Sequence, residues 1–265
     1  MSVRLAATVI LARPPFEVYL ARRSAKSAFA PDAFVFPGGT IDPQDASEAS
    51  RERTIGIDSE RLDREFRAKV PDELACDEPA IERDVAAALS IAALRELFEE
   101  AGVLLARTAT GAPIEAARAD WERISPERIA VREGRLTFAD FLRAHDWYSD
   151  ATALSFFSHW ITPRSEPRRY NTHFFFAAAP ADQAALADAF EMHEGIWIAP
   201  AAALERYRSG TMHLVYPTIK HLERLKSFAS LDQALEFARA KRVLTILPNE
   251  TPGDFAIPPE LENAW

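Results

Sequence analysis

The 265-residue chain has a single cysteine, no long uninterrupted apolar run and no excess of basic charge. With only Cys76, an intramolecular disulfide and a multi-thiolate metal site are both excluded, and a reducing compartment fits. No apolar stretch reaches the roughly 18–20 residues a membrane helix needs. The apolar start Leu5–Leu11 is broken by Arg4 and Arg13 and runs into Pro14-Pro15, so it lacks the h-region of a secretory signal. The formal net charge of -9 and pI near 5.3 argue against a nucleic-acid binder, which needs a concentrated basic surface. These absences leave a soluble cytoplasmic protein with no nucleic-acid and no membrane partner, and they leave homodimerisation open.

What is present is ordinary globular composition, 48% hydrophobic and 27% charged, with no internal repeat and no linker long enough to split the chain. Leu5–Leu11 and Glu17–Leu20 read as two strands around the Pro14-Pro15 turn. Phe34-Val35-Phe36 is a short apolar run ended by Pro37-Gly38-Gly39, residues that permit a tight turn. From Ser47 to about Pro79 the sequence is charged and weakly apolar, which predicts a surface insertion with a helix-like stretch at Glu60–Val70. Ala80–Ala101 has helix length and spacing, and Gly102 stands at the place of a left-handed C-terminal cap. Further on, Phe138–His145, Pro200–Tyr207 and Pro217–Phe228 read as helices. His159–Thr162, Thr172–Ala177 and Gly195–Ile198 read as strands, and a Pro-rich tail follows Pro248.

The chemistry concentrates in Arg95-Glu96-Leu97-Phe98-Glu99-Glu100-Ala101-Gly102-Val103. At about 100° per helical residue, Glu96, Glu99 and Glu100 share one arc while Leu94, Leu97, Phe98 and Ala101 take the neighbouring face. Like charges at i and i+4 repel, so such clustering beside a buried face makes most sense when a cation neutralises it. Carboxylate oxygens favour Mg2+ or Mn2+. Arg95 is placed at i-4 from Glu99 to pair with it and orient it. A solvated acidic helix face would carry the same residue types, and the wider context decides against that reading.

Arg95–Val103 resembles the second half of the box of the Nudix hydrolases, REUxEExGU, at every specified position. Phe36-Pro37-Gly38-Gly39 is similar to the turn that opens the box, and five residues past Gly39 stands an acid, Asp45, where the family has glutamate. The box is split, because segment 46–94 holds 49 residues where the family has seven. A split of this kind resembles the RP2-like subgroup, whose mammalian members are coenzyme A diphosphatases. His159–Pro163 and Arg169–Phe175 look like that subgroup's WxTP and RFxTxFF segments. Leu20-Ala21-Arg22-Arg23-Ser24 leads to Phe36-Pro37-Gly38-Gly39 with the spacing of a coenzyme A pattern, although Ala28 stands for its arginine and Asp32 for its glycine.

The resemblance implies a single Nudix domain over 1–265, an α/β/α sandwich around a mixed sheet, with 46–83 as a helical insertion inside the box. It implies a metal-dependent hydrolase of a phosphoanhydride bond in a nucleoside diphosphate derivative. Coenzyme A or acyl-CoA, giving 3′,5′-ADP and 4′-phosphopantetheine, is the leading substrate. The alternatives are an ADP-ribose or NADH pyrophosphatase and a nucleotide sensor that does not cut. Glu96, Glu99, Glu100 and Arg95 are the expected catalytic set. Glu96, Glu99, Glu100 and the Gly39 carbonyl are the expected metal ligands, and Arg22, Arg23 and Gly38 the expected substrate contacts. Glu191 and Glu194 are named as further acids near the site, without assigning the base. His173 and His193, like Trp197, Phe174 and Phe175, read as structural residues.

Overall fold

The computed structural model describes residues 3–27, 30–67, 81–114, 118–183, 185, 192–251, 254–259, 261, 262 and 265. Cys76, Ala28 and Glu191 lie outside the described residues, as does the side chain of His193.

Strands β1 (Arg4–Arg13) and β2 (Glu17–Arg23) form the expected antiparallel hairpin, joined through a cis Pro14–Pro15 bond. They pair only near the turn. Beyond it the two strands part, and β3 (Phe34–Val35) pairs with β2 while β4 (Gly38–Thr40) pairs with β1. The Phe36-Pro37 step carries the chain from one to the other, which seats the glycine turn in the middle of the sheet. Further along the chain come β5 (Thr54–Ile55), β6 (Ala106–Thr108), β7 (Trp147–Asp150), β8 (Ser155–Ile161), β9 (Tyr170–Ala178), β10 (Met192–Ile198) and β11 (Thr245–Ile246). The main sheet runs β10-β2-β1-β9-β8-β11, with β1·β9 and β8·β11 parallel and the other neighbours antiparallel. It is the mixed sheet the resemblance implies.

Alternating side chains divide this sheet into two cores. Ala7, Val9, Leu11, Tyr19, Ala21, Phe156, Phe175 and Ala177 face one side, where helix α3 (Arg83–Ala101) packs, after the short helices α1 (Glu48–Glu52) and α2 (Ser59–Leu62). Ile10, Val18, Leu20, Phe157, Phe174 and Phe176 face the other. That side is covered by α6 (Pro200–Arg208), α7 (Tyr216–Leu225) and α8 (Leu231–Ala240). The result is three layers, helix on sheet on helix. None of the described helices is long and apolar enough to cross a membrane.

α3 is buried on nearly every side, from Ala86 to Ala101, because a second layer packs on its outer face. Phe98 stacks on Phe141 of α5 (Phe138–Ala144), with ring centroids 4.7 Å apart, and α4 (Arg118–Arg132) runs alongside. A small sheet, β5-β7-β6, completes this layer. Gly102 takes φ +64° and donates its N–H to Phe98 O, the left-handed cap the sequence predicts.

Three features depart from the sequence reading. The segment after Ser47 is not a surface appendage: Leu62 and Phe66 are 4% and 3% exposed and sit in the α3-side core. Phe66 stacks on Phe156 at 4.8 Å, and the buried Arg61 guanidinium donates to the carbonyls of Gly56, Ala151 and Leu154. The charged residues around these anchors masked them. Helices α4 and α8 were not anticipated, α4 because Pro126 interrupts its pattern. The Pro-rich tail folds back as a hairpin, Asn249–Thr251 against Asp254–Ala256, and buries Ile257, Leu261 and Trp265 in the far core.

If Phe66 is core, Phe66→Ala should lower the unfolding free energy by about 3–5 kcal/mol, the usual cost of deleting a buried ring. Urea unfolding followed by circular dichroism measures it, and a loss below about 1 kcal/mol would return the segment to the surface.

Candidate active site

Four elements meet at the carboxylate face of α3: β1, β4, the 3-10 turn Pro43–Ala46 and α4. The glycine turn comes first because its backbone is pressed against the helix. A Cβ on Gly39 would fall 2.4–2.7 Å from the carboxylate atoms of Glu96, and one on Gly38 would fall 2.4 Å from Ala7 O. A side chain at Gly38 would strike the backbone of β1, and one at Gly39 would push the Glu96 carboxylate out of its place. At that distance the Gly38 N–H donates to Glu100 Oε2 at 2.8 Å, so this glycine's donor already serves a site carboxylate.

Asp45 reaches the site through its turn. The Asp42 side chain accepts from Gln44 N at 2.9 Å, and Asp42 N in turn donates to Asp45 Oδ2 at 2.8 Å, a reciprocal cap that fixes the Asp45 carboxylate. The Arg95 guanidinium grips that carboxylate with two bonds, Nε to Oδ1 at 2.8 Å and Nη2 to Oδ2 at 2.9 Å. Nη2 also donates to Thr40 O at 3.2 Å, and Nη1 donates to Glu96 Oε1 at 2.8 Å and Glu99 Oε1 at 3.2 Å. The predicted Arg95–Glu99 pair is therefore present, as one arm of a larger network. The side chains are 5% exposed for Arg95, 1% for Asp45, 12% for Glu96 and 10% for Glu99.

Burial pulls the Arg95 proton affinity down, but the bond to Asp45 and the charges of Glu96, Asp45 and Glu99 outweigh it and hold the group firmly cationic. For Glu96 the balance goes the other way. Burial, reinforced by Glu99 and Asp45, lifts its carboxyl to about 7 against the opposing pull of Arg95. One guanidinium does not neutralise the buried acids around it, and an added cation fits this donor set of hard oxygens. Among the described residues, no three acidic, histidine or cysteine side chains converge on one point. Glu96 and Glu99 point oxygens at Arg95, and Glu100 points one at the Gly38 N–H.

The two arginines of β2 separate. Tyr19 and Ala21 belong to the α3-side core and Leu20 to the far core, so alternation sends Arg23 to the α3 side and Arg22 to the far side. The register agrees, because Arg22 is opposite Phe34, a far-core residue. Arg22 pairs there with Asp32 at 3.2 Å, and Arg23 donates to Ser27 Oγ at 2.9–3.1 Å. Asp32 has φ +58°, the left-handed conformation that glycine favours. Glu194 is opposite Arg22 across β10·β2 and exposed, which by the same alternation places it away from the α3 carboxylates. Its candidacy as a neighbouring acid is thereby corrected.

His173 is wholly buried in the α3-side core, stacked on His159 at 4.2 Å, and burial drives its pKa well below the ordinary value. It is a neutral strand residue buried in the core, outside the carboxylate site. Phe174 and Phe175 are core as well, 7% and 1% exposed, and Trp197 packs partly buried against the α3-side core. Two residues near the site were missed. Arg128 of α4 donates Nε to Glu99 O at 3.0 Å, a cation at the negative end of the α3 dipole. Tyr19 is buried in the α3-side core, and among the described residues its hydroxyl has no hydrogen-bond partner. No local motif marks either residue; only the alternation of β2 could have indicated Tyr19.

The NUDT19 Nudix domain model matches residues 2–225. The acyl-coenzyme A diphosphatase NUDT19 of Homo sapiens is 30% identical over 247 residues, covering 85% of this chain and 65% of that protein. Its Xenopus laevis counterpart is 29% identical over 251 residues, covering 84% and 63%. The chain thus spans just under two thirds of the length of these curated relatives. A crystal structure of a Nudix hydrolase from Alicyclobacillus acidocaldarius superposes with a TM-score of 0.70 at 26% identity, covering 89% of this chain and 96% of that one. With a glycine turn set against a carboxylate helix in this fold, and the family model matched over most of its length, the chain belongs to the NUDT19 Nudix domain family.

Proposed function

We propose that the chain is a divalent-metal-dependent hydrolase that cuts the phosphoanhydride bond of coenzyme A or an acyl-CoA, releasing 3′,5′-ADP and a 4′-phosphopantetheine product. The observation that carries this reading is the packing of the Gly38-Gly39 turn onto Glu96 and Glu100, with Arg95 joining Asp45 to the same helix face. The relatives' names supply the substrate class. The reading takes residues 1–265 as one domain, with 46–83 inserted into its box.

Glu96, Glu99, Glu100 and the Gly39 carbonyl would hold Mg2+ or Mn2+. When bound, such an ion neutralises diphosphate oxygens and favours an oriented water. The rest falls to the chain's own groups. Arg95 keeps Glu96 and Glu99 in fixed rotamers and shares their charge. Gly38 holds Glu100 through its N–H, and Arg128 fixes the last turn of α3 from behind. In the reaction a water oxygen bonds to phosphorus, the bridging P–O bond breaks, and the water's proton passes to a carboxylate of the site. Arg23, on the α3 side of β2, is the phosphate contact this reading favours over Arg22.

The test is product analysis by mass spectrometry with Mg2+ or Mn2+, using coenzyme A, acetyl-CoA, ADP-ribose and NADH in separate reactions. Formation of 3′,5′-ADP from the first two supports the proposal. AMP from the latter two alone would move the enzyme to another substrate class, and silence throughout would favour a nucleotide sensor. Glu99→Gln and Glu100→Gln should each keep the fold and lower kcat by roughly 10^3-fold, the equivalent of several kcal/mol of lost charge stabilisation. Activity within about threefold of the parent would remove these residues from the assignment.

Arg23→Ala should raise KM by about 10- to 100-fold, the worth of one charged phosphate contact. Arg22→Ala, which breaks only a half-exposed pair with Asp32, should change it by less than about threefold. Steady-state kinetics on both variants checks this, and equal effects would show that alternation on β2 does not govern the contact.

A further inference from the structure

Beyond the C-terminal end of α3 lies a cleft of about 210 Å3 that the proposed reaction leaves without a role. Leu104 and Leu105, which follow the Gly102 cap, form one wall, and Ile114, which pairs back along β6, forms another. Ala153, at the end of the 3-10 turn Ala151–Ala153, and Ala179, just after β9, close the rest. An apolar cavity of about 150 Å3 holds a benzene molecule, so this one has room for several methylenes.

The polar groups of the lining are already engaged. Arg107 donates Nε to Asp150 and Nη1 to Gly111 O at 3.1 Å, and the other Asp150 oxygen accepts from Thr152 N at 2.9 Å. The buried Gln183 amide accepts from Leu104 N at 2.9 Å and donates to Leu104 O at 3.0 Å. What remains for an occupant is apolar contact. With its arginine committed to an acid and Asp182 exposed at the rim, the cleft is unsuited to phosphate.

The sheet sets its distance from the glycine turn. Gly38 is opposite Thr8 of β1, and Ala178, next to Ala179, is opposite Ala12. That separation along β1 is about 13 Å at roughly 3.3 Å per residue. On the helix side, Leu104 follows closely after Glu100. The pantetheine arm puts a long chain between the diphosphate and the thioester of an acyl-CoA, so a pocket for the acyl end belongs at such a remove from the carboxylates.

We infer that this cleft is an acyl subsite: with the diphosphate at the carboxylate face of α3, the acyl chain of an acyl-CoA lies against Leu104, Leu105 and Ile114. The inference rests on the coenzyme A reading given above and deepens it, because it makes acylated coenzyme A the preferred substrate over the free thiol. Ala153 and Ala179 then limit the length of chain admitted.

The test gives the full chain free coenzyme A and its acetyl, butanoyl, hexanoyl and octanoyl thioesters. Binding is read by isothermal titration calorimetry without metal, and kcat/KM with Mg2+. Both should rise about two- to fourfold for each added methylene, the worth of burying one, and level off once the cleft is full. Ala153→Leu and Ala179→Leu, which narrow the cleft from different elements, should each lower kcat/KM for octanoyl-CoA by on the order of tenfold and leave free coenzyme A within about twofold. If one of them fails to fold by circular dichroism, the other and the parent series still decide. Equal affinity and kcat/KM across the series would overturn the inference and leave coenzyme A hydrolysis standing, as would a length preference that neither folded variant moves. Length-graded binding without any hydrolysis would overturn the hydrolase reading and keep the cleft. Absence of both binding and hydrolysis would overturn both.

Discussion

The Arg95 guanidinium is the joint on which the candidate site turns. The two parts of the box stand 50 positions apart in the chain, and five hydrogen bonds from this one side chain bring them together on Asp45, Thr40, Glu96 and Glu99. Burying so many charges is costly, and an arrangement of this kind persists only where each group is met in good geometry. The planar fork of arginine meets a carboxylate edge-on with two donors and has further N–H groups to spend elsewhere. A lysine has one ammonium on a flexible stem and does not span this arrangement.

The sheet supplies the other half of the geometry. Because β1 and β2 part beyond their turn, β3 and β4 enter the gap, and the chain crosses between them through Phe36 and Pro37. That crossing puts Gly38 and Gly39 beneath α3, where side chains would collide with Ala7, Thr8 and Glu96. Meanwhile α3 is clamped from outside by Phe138 and Phe141, so the helix cannot back away from the turn. The close approach follows from packing on both sides.

Much of this was legible in the sequence, and the reason is periodicity. The helix expected at Ala80–Ala101 and found at Arg83–Ala101, its Gly102 cap and the Arg95–Glu99 pair follow from local spacing, and the strands around Pro14-Pro15 from their apolar runs. The box pattern located Asp45 despite its change of acid. What escaped depends on contacts distant in sequence. Leu62 and Phe66 sit among charged neighbours, and only the folded chain shows that they reach Phe156. Arg22 and Arg23 look interchangeable in a row, and a strand sends them to opposite faces. Asp32 reads as a departure from glycine, and only the folded chain shows that its backbone is left-handed. Tyr19 belongs to no motif and is brought under α3 by the alternation of β2.

The split box also carries a consequence in chain entropy. Closing a flexible loop costs free energy only logarithmically in its length, about 0.6 kcal/mol for each doubling. Asp45 and Arg95 meet through side chains, so the surface turns between them can lengthen at small thermodynamic expense while the bidentate contact survives, provided that Leu62, Phe66 and α3 keep their places in the core. The short run from Gly39 to Asp45 has no such latitude: one residue more or fewer would rotate the 3-10 turn and carry the aspartate off the guanidinium. Variation in length should therefore collect on one side of Asp45 and be refused on the other.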